Sequence, residues 1–308
     1  MDPGLAPFDR RRLRRRRDRA ARGLAAHDFL YREVAQRLAD RLADIARRFS
    51  LGLDLGCHGG ELGAALEAGG KVERLVQCDL SPAMARLAAA SGAPTLAADE
   101  EALPFAAQSF DLVLSNLSLH WVNDLPGTLL QIRHALKPDG LFLAALFGAG
   151  TLQELRDALA GAEAEVAGGA SPRVAPFPEL RDAAGLLQRA GFALPVADAE
   201  TVTVTYADPF RLMAELRGMG ETSALKETAP LTRAVLARAA ELYGAGHAAG
   251  GRIAVSFRII FLAGWAPHES QQKALRPGSA RMRLADALGT VEQPLDRDPD
   301  GNTGPAGR

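Results

Sequence analysis

Cysteine is scarce in this chain: Cys57 and Cys78 are the only two in 308 residues, and they form no C-x-x-C pair. That excludes a disulfide-rich scaffold, and both thiols read as small packing residues in a reducing compartment. Also missing is any uninterrupted apolar run of the roughly 18–20 residues that a membrane span needs. No apolar segment of the secretory type follows the arginine-rich start, and Asp2, Asp9 and Asp18 break the acid-poor character of a transit peptide. We therefore expect a cytoplasmic protein, or one of the mitochondrial matrix if the chain is eukaryotic. A formal net charge of −1 provides no global basic field to attract nucleic acid. Two nucleotide signatures are absent as well: no G-K-[ST] ends a phosphate loop, and there is no G-x-G-x-x-G.

Apolar residues, by contrast, make up 47% of the chain, enough for one large α/β domain with extensions. The charge is unevenly spread. Residues 10–22, RRRLRRRRDRAAR, carry nine arginines against a single acid and mark 1–26 as a basic arm. The spacing of Leu30, Val34, Leu38, Leu42 and Ile45 predicts an amphipathic helix over 27–49, with Asp28 as its N-cap. Short apolar runs then alternate with helical stretches. Strands are predicted at 51–55, 74–78, 93–98, 110–116 and 140–147, with helices at 60–68, 81–90 and 125–136. This alternation predicts a parallel sheet with helices on both faces. Beyond residue 150 the pattern predicts helices at 151–165, 179–190, 208–220 and 231–243 and strands at 199–206 and 252–265. A Gly/Pro-rich loop, GGASPRVAPFPE, interrupts them. One domain is expected over 51–266, with substrate-side insertions around 166–245, and the polar tail 267–308 is expected to be largely disordered.

Acids and glycines fall at the predicted strand ends, where open α/β sheets bind ligands. Asp54 and Gly56 close the first strand, and Asp79, followed by Leu80, closes the second. Asp99 and Glu100 follow the third, and Ser115 ends the fourth, with His120 and Trp121 just beyond. The small-residue turn LDLGCHGG, with Gly56 and Gly60, lets backbone N–H groups approach a ligand at a helix N-terminus. An acid at the end of the next strand can accept both ribose hydroxyl protons. Such a set suits a dinucleotide or S-adenosyl-L-methionine. His58 stands where the nicotinamide fingerprint demands its second glycine, which favours S-adenosylmethionine. Asp54 would then lie near the cationic methionine end, Asp79 at the ribose and Asp99 at the adenine amino group. Ordinary helix capping would also explain these acids, but their order along successive strand ends weighs against it. His58 is expected to face solvent or to stand behind the turn. The left-handed backbone that a glycine would supply should fall on His58 or Gly59.

The stretches LDLGCHGG, QCDLSPAMA, TLAADEEALPFAAQSFDLVLSNLSLHWVNDLP and ALKPDGLFLAALFG resemble class I methyltransferases of the biotin-synthesis type, which form a methyl ester on a malonyl-carrier protein. FDRRRLRRRRDRAA, GTLQELRDAL, LRGMGE and WAPHESQ add a closer resemblance to the complex I assembly-factor branch of that fold. The resemblance spans nearly the whole chain up to the polar tail and departs at His58, where the family carries glycine. It implies an α/β, Rossmann-like class I methyltransferase fold: a seven-stranded, mainly parallel sheet whose last strand is antiparallel. It also implies S-adenosyl-L-methionine as cofactor and a protein partner, either a complex I subunit or an acyl-carrier protein. For the assembly-factor branch it implies arginine hydroxylation on an iron–sulfur subunit rather than methylation.

Three functions stay open: a methyltransferase acting on a protein or protein-carried substrate, an arginine hydroxylase and assembly factor, and a non-catalytic cofactor-binding module. In the first, the N-terminal helix should cover the cofactor. His120 is the best general-base candidate, because its ordinary pKa lies near neutrality, and Trp121 stands beside it where substrate should meet the donor. Packing and capping would account for both residues equally well. Methyl transfer from a sulfonium needs chiefly alignment, so a base is not obligatory. None of the six histidines is followed two positions later by an acid, so no metal site is expected. The arm lacks interleaved aromatics, which favours a protein partner or peripheral membrane contact over nucleic acid. Met213, Leu216 and Met219 either line a substrate lid or fill the core.

Overall fold

Strand and helix alternate as expected in the computed structural model, which describes residues 6–272 and 282–291. The chain runs α1 (Arg10–Ala20), α2 (Phe29–Ala43), β1 (Gly52–Leu55), α3 (Glu61–Glu67), β2 (Leu75–Asp79), α4 (Pro82–Ala88), β3 (Thr95–Ala97), β4 (Phe110–Asn116) and α5 (Leu125–Ala135). It continues through β5 (Leu136–Phe147), α6 (Gln153–Ala167), α7 (Leu180–Arg189), β6 (Ala193–Tyr206), α8 (Pro209–Met219), α9 (Arg233–His247), a two-residue β7 (Ala248–Ala249) and β8 (Arg252–Trp265). Within the tail, Leu284–Leu288 form a short helix, α10. The expectation of disorder for 273–281 and 292–308 lies outside the described residues, as do residues 1–5 of the arm.

Seven strands form one sheet in the order β3-β2-β1-β4-β5-β8-β6, and β7 adds a short pairing to β8. β3 through β5 are mutually parallel, whereas β8 runs antiparallel to both of its neighbours. This is the mainly parallel sheet with an antiparallel last strand that the sequence led us to expect. Its central strands are buried on both faces, as parallel strands covered by helices must be. Along β4, Leu112 and Leu114 enter the layer shared with α2, α3, α6, α8 and α9, while Phe110 and Val113 enter the layer shared with α5 and α7. β6 begins at Ala193, earlier than predicted. Its acidic stretch hides the strand pattern, but Asp198 and Glu200 pair with Arg41 of α2 at 2.7 and 2.6 Å.

The helices start at recognisable caps: Asp9 accepts from Arg12 N, Ser81 from Met84 N, Asp124 from Gly127 N and Asp208 from Arg211 N. Asp28 stands at the N-cap position of α2, yet its side chain accepts no capping bond there and pairs instead with Arg32 at 3.0 Å. Of the predicted stripe, Leu30, Val34, Leu38 and Leu42 are fully buried, each side chain contributing about 1.5–3 kcal/mol by burial, while Ile45 lies past the end of α2 and is partly buried.

The order of strand connection reverses at β1, which has β2 on one side and β4 on the other, so the cleft opens at their carboxyl ends. The element over that cleft is α1, the arginine helix, while the helix expected over 27–49 packs along α3 and the sheet. Leu13 anchors α1 in a small apolar cluster with Phe8, Trp121, Ala175 and Leu225. Asp9 N donates to Ala224 O at 2.8 Å, and Phe8 N donates to Asn123 Oδ1 at 2.8 Å.

Candidate functional site

The turn after β1 is dictated by close approach. Gly56 has φ 74°, and a Cβ there would lie 2.2 Å from Ser118 Cβ, so no side chain fits. Gly60, at φ 93°, opens α3. Between them His58 itself takes the left-handed conformation, at φ 48°, which costs a non-glycine residue about 1–2 kcal/mol. Contacts offset that cost. The fully buried imidazole stacks on Tyr31 with ring centres 4.1 Å apart, and Nε2–H donates to Asn116 O and Leu117 O, each at 3.1 Å. Burial, aided by the Arg17 charge, pushes its pKa down to about 3, so the ring is neutral. Of the two placements expected for His58, the solvent-facing one is corrected: Tyr31 and two carbonyl oxygens enclose the ring behind the turn.

Acidic groups converge on this turn. Asp54 is fully buried, receives one long bond from Gln77 Nε2 at 3.4 Å, and has Oδ1 without a partner. Burial pushes its carboxyl up to about 7. Glu61, the first residue of α3, accepts from Gly59 N at 3.0 Å and is likewise pushed up to about 7 by burial. Asp79 accepts from Ser81 N at 2.7 Å, His58 N at 3.2 Å and Arg17 Nη1 at 3.3 Å. Burial still holds it up at about 6 against the pull of Arg17. Glu100 goes the other way. Burial would raise it, but Arg10, Arg17 and Ser118 together hold it down at about 2. One carboxylate thus has two guanidiniums and a hydroxyl, while its neighbour shares a single guanidinium and feels the Glu100 charge.

Both guanidiniums come from α1. Arg17 is fully buried, reaching Asp79 at 3.3 Å, Glu100 at 3.4 Å and Ser118 Oγ at 3.2 Å. Arg10 donates to Asp99 at 2.5 Å and also to Glu100. The structure therefore brings Asp54, Gly56, Gly60, Asp79, Asp99 and Glu100 together. It does not bring in Ser115, whose hydroxyl donates to Leu55 O at 2.7 Å inside the sheet, nor Leu80, which packs against the Phe8–Leu13 cluster. Sequence reasoning missed Arg10, Arg17, Tyr31, Glu61 and Ser118. For the arginines a signal was present: seven residues are about two helical turns, so Arg10 and Arg17 share one face.

A second polar cluster adjoins the first. Glu221, at the end of LRGMGE, accepts from Tyr31 Oη at 2.9 Å, Trp121 Nε1 at 2.6 Å and His120 Nε2 at 3.0 Å. Burial would raise its pKa, but the bond from His120 and the nearby positive groups hold it down at about 2. Burial pushes His120 below its ordinary value against the pull of Glu221, and its Nδ1 has no hydrogen-bond partner. A cavity of about 290 Å³ lies alongside, lined by Trp121, Glu221, Phe147, Phe177, Met213 and Leu216 among others. Phe177 comes from the Gly/Pro-rich loop, and Met219 is fully buried instead. Trp121 thus reaches the cavity wall, whereas His120 lies behind it, with ring centres 4.5 Å from Phe147 and 5.7 Å from Phe177.

Known proteins resemble this chain. A methyltransferase domain model matches residues 53–144, the segment that supplies the turn and the strand-end acids. Arginine-hydroxylase NDUFAF5, mitochondrial, of Danio rerio is 41% identical, with 92% of this chain and 90% of that protein covered. The malonyl-[acyl-carrier protein] O-methyltransferase of Halorhodospira halophila is 35% identical, over 92% of this chain and 97% of that protein. The chain belongs to their methyltransferase-fold family. Among solved structures, phosphoethanolamine N-methyltransferase 2 of Haemonchus contortus shares the fold, with a TM-score of 0.51 at 17% identity over 83% of this chain and 60% of that one.

Among the described residues, no group of three or more His, Cys, Asp or Glu side chains is arranged to hold a metal ion. No helix among them is long and apolar enough to cross a membrane.

Proposed function

We propose that this chain is an S-adenosyl-L-methionine-dependent methyltransferase acting on a protein or protein-carried substrate. One observation carries the reading: Asp54, buried, and Glu61, half-buried, stand at the switch point bonded only to neutral donors, and Asp54 Oδ1 has no partner at all. An uncompensated buried carboxylate is costly, and a site that keeps one is built for a cation. The donor set fits this cofactor. Asp54 and Glu61 would hold its ammonium end, Asp79 would accept from the ribose hydroxyls, and Asp99 with Glu100 would accept from the adenine amine. When bound, the cofactor supplies a methyl group on a sulfonium. The chain's part is to align and to exclude water, for which Trp121, Phe147 and Phe177 wall the adjoining cavity. His120, behind that wall, would orient Trp121 and Glu221 rather than touch substrate. Exposed arginines on the outer face of α1, Arg11, Arg14 and Arg15 among them, support docking of a protein partner or of an anionic membrane surface.

A second reading has its own support. Identity is higher to the arginine-hydroxylase relative than to the carrier-protein methyltransferase, 41% against 35%. Moreover, Glu221, an ionised carboxylate on the cavity wall, complements a guanidinium. Calorimetry with S-adenosylmethionine, followed by mass spectrometry of an extract incubated with protein and cofactor, tests both readings. Binding and a gain of one methyl on a protein support the first. Binding and a gain of one oxygen on an arginine support the second. Absence of binding refutes the cofactor assignment.

A further inference from the structure

We propose that α1 is an internal lock on the donor site: Arg10 and Arg17 hold the acids that the donor's ribose and adenine would use, so that seating of α1 and donor binding compete. The proposal rests on the cofactor reading above.

The arginine run is a set of separate assignments rather than a uniform field of charge. Arg10 and Arg17 point down to Asp79, Asp99 and Glu100. Arg12 and Arg16 fasten the helix sideways, donating to Leu225 O at 2.5 Å and Thr222 O at 2.6 Å. Arg11, Arg14 and Arg15 are exposed. Only two of the nine arginines thus enter the cleft, and they fall on the strand-end acids rather than on the helix's own surroundings.

The two arginines hold their acids differently: Arg10 is bonded closely, at 2.5 Å to Asp99, whereas the contacts of Arg17 are loose for a buried charge. They lie between 3.2 and 3.4 Å, whereas charge-assisted N–H···O bonds are commonly about 2.7–2.9 Å. The Nε atoms of both Arg10 and Arg17 make no hydrogen bond, and that of Arg10 only approaches Glu101 at 3.7 Å. Asp54 is left out of the pairing altogether. A cationic ligand that also carries a diol and an amino group would satisfy Asp54 and the acids now bonded to arginine. The exchange is therefore between two partial solutions to the same negative pocket. The place for movement would be the 3₁₀ segment Ala21–Ala26, which continues α1 toward α2, since a 3₁₀ stretch within a helical run often marks a hinge.

The test is calorimetric titration of the full chain with S-adenosyl-L-homocysteine, comparing wild type, Arg17→Ala and Leu13→Asp. The second variant leaves every acid and arginine in the cleft untouched and unseats α1 through its apolar anchor. It therefore separates competition from local damage around Asp79. Because apparent affinity is reduced by the fraction of molecules in the competent state, both variants should bind at least tenfold more tightly than wild type. Weaker or unchanged binding in both overturns the lock and makes α1 an ordinary cover for the bound ligand. Binding by wild type without tightening in the variants sinks the lock alone. Absence of binding by all three proteins sinks the donor reading and the lock with it.

Discussion

Asp54→Asn should stabilise the protein at alkaline pH while abolishing donor binding. The folded-state carboxyl is raised from 3.8 to about 7 chiefly by burial, with a single opposing bond from Gln77 and added repulsion from Glu61 and Asp79. At 1.36 kcal/mol per pH unit, keeping that group ionised inside the fold costs on the order of 4 kcal/mol. The sign follows from linkage. A carboxyl whose pKa is raised by folding binds its proton more tightly in the native state, so its contribution is fully present below about pH 4 and is lost as pH climbs to about 7. Asparagine keeps the shape, can accept the Gln77 bond and carries no charge at any pH. Urea unfolding followed by circular dichroism at pH 5 and pH 8 should show the variant gaining roughly 2–3 kcal/mol on wild type between the two conditions. A difference that does not change with pH, or a variant less stable than wild type at pH 8, would refute the assignment of Asp54 as an uncompensated buried carboxylate. Calorimetry on the same protein should find donor binding lost, because the stored electrostatic cost is what a cationic ligand relieves.

Two further substitutions probe the turn and the cavity wall. His58→Gly relieves a left-handed backbone worth about 1–2 kcal/mol, but it deletes a fully buried ring stacked on Tyr31. Because losing a buried aromatic ring costs about 3–5 kcal/mol, the variant should be destabilised by about 2 kcal/mol in chemical denaturation, and a stabilised variant would show that the ring's contacts contribute little. Glu221→Gln replaces an acceptor that serves Tyr31, Trp121 and His120 by a group that must itself donate. At least one buried donor is then left unpaired, at a cost of about 1–3 kcal/mol, with a shift in the fluorescence of the cavity tryptophan; an unchanged spectrum and stability would count against the cluster.

Local rules made much of the fold legible in the sequence. Short apolar runs closed by small residues or acids identify β1, β2 and β4, and the strand-end rule places Asp54, Asp79 and Asp99 in one cleft without any knowledge of their partners. Where partners decide, the reading fails. Asp198 falls outside the predicted strand until Arg41 is seen across from it. Ser115 stands at the correct strand end, yet its hydroxyl is used inside the sheet by Leu55 O. Asp28 has the right residue type for a cap and forms an ion pair instead. His58 was half legible: the need for a left-handed angle follows from the turn, but the ring's enclosure depends on Tyr31, far away in the chain.

The arginine arm shows the same limit from the other side. Counted as composition, nine arginines in thirteen residues describe a field that should look outward to anionic partners. Placed on a helix above a cleft of acids, the same residues divide by angle, because a rotation of about 100° per residue brings only some of them to any one face. Arg10 and Arg17 then serve the cleft, Arg12 and Arg16 serve the backbone beside it, and only the remainder can address a partner. Net charge fixes none of these roles. They follow from the helix period together with where Asp79, Asp99 and Glu100 end their strands, so a longer or shorter spacing than seven residues would break the lock while leaving the outward charge of the arm unchanged.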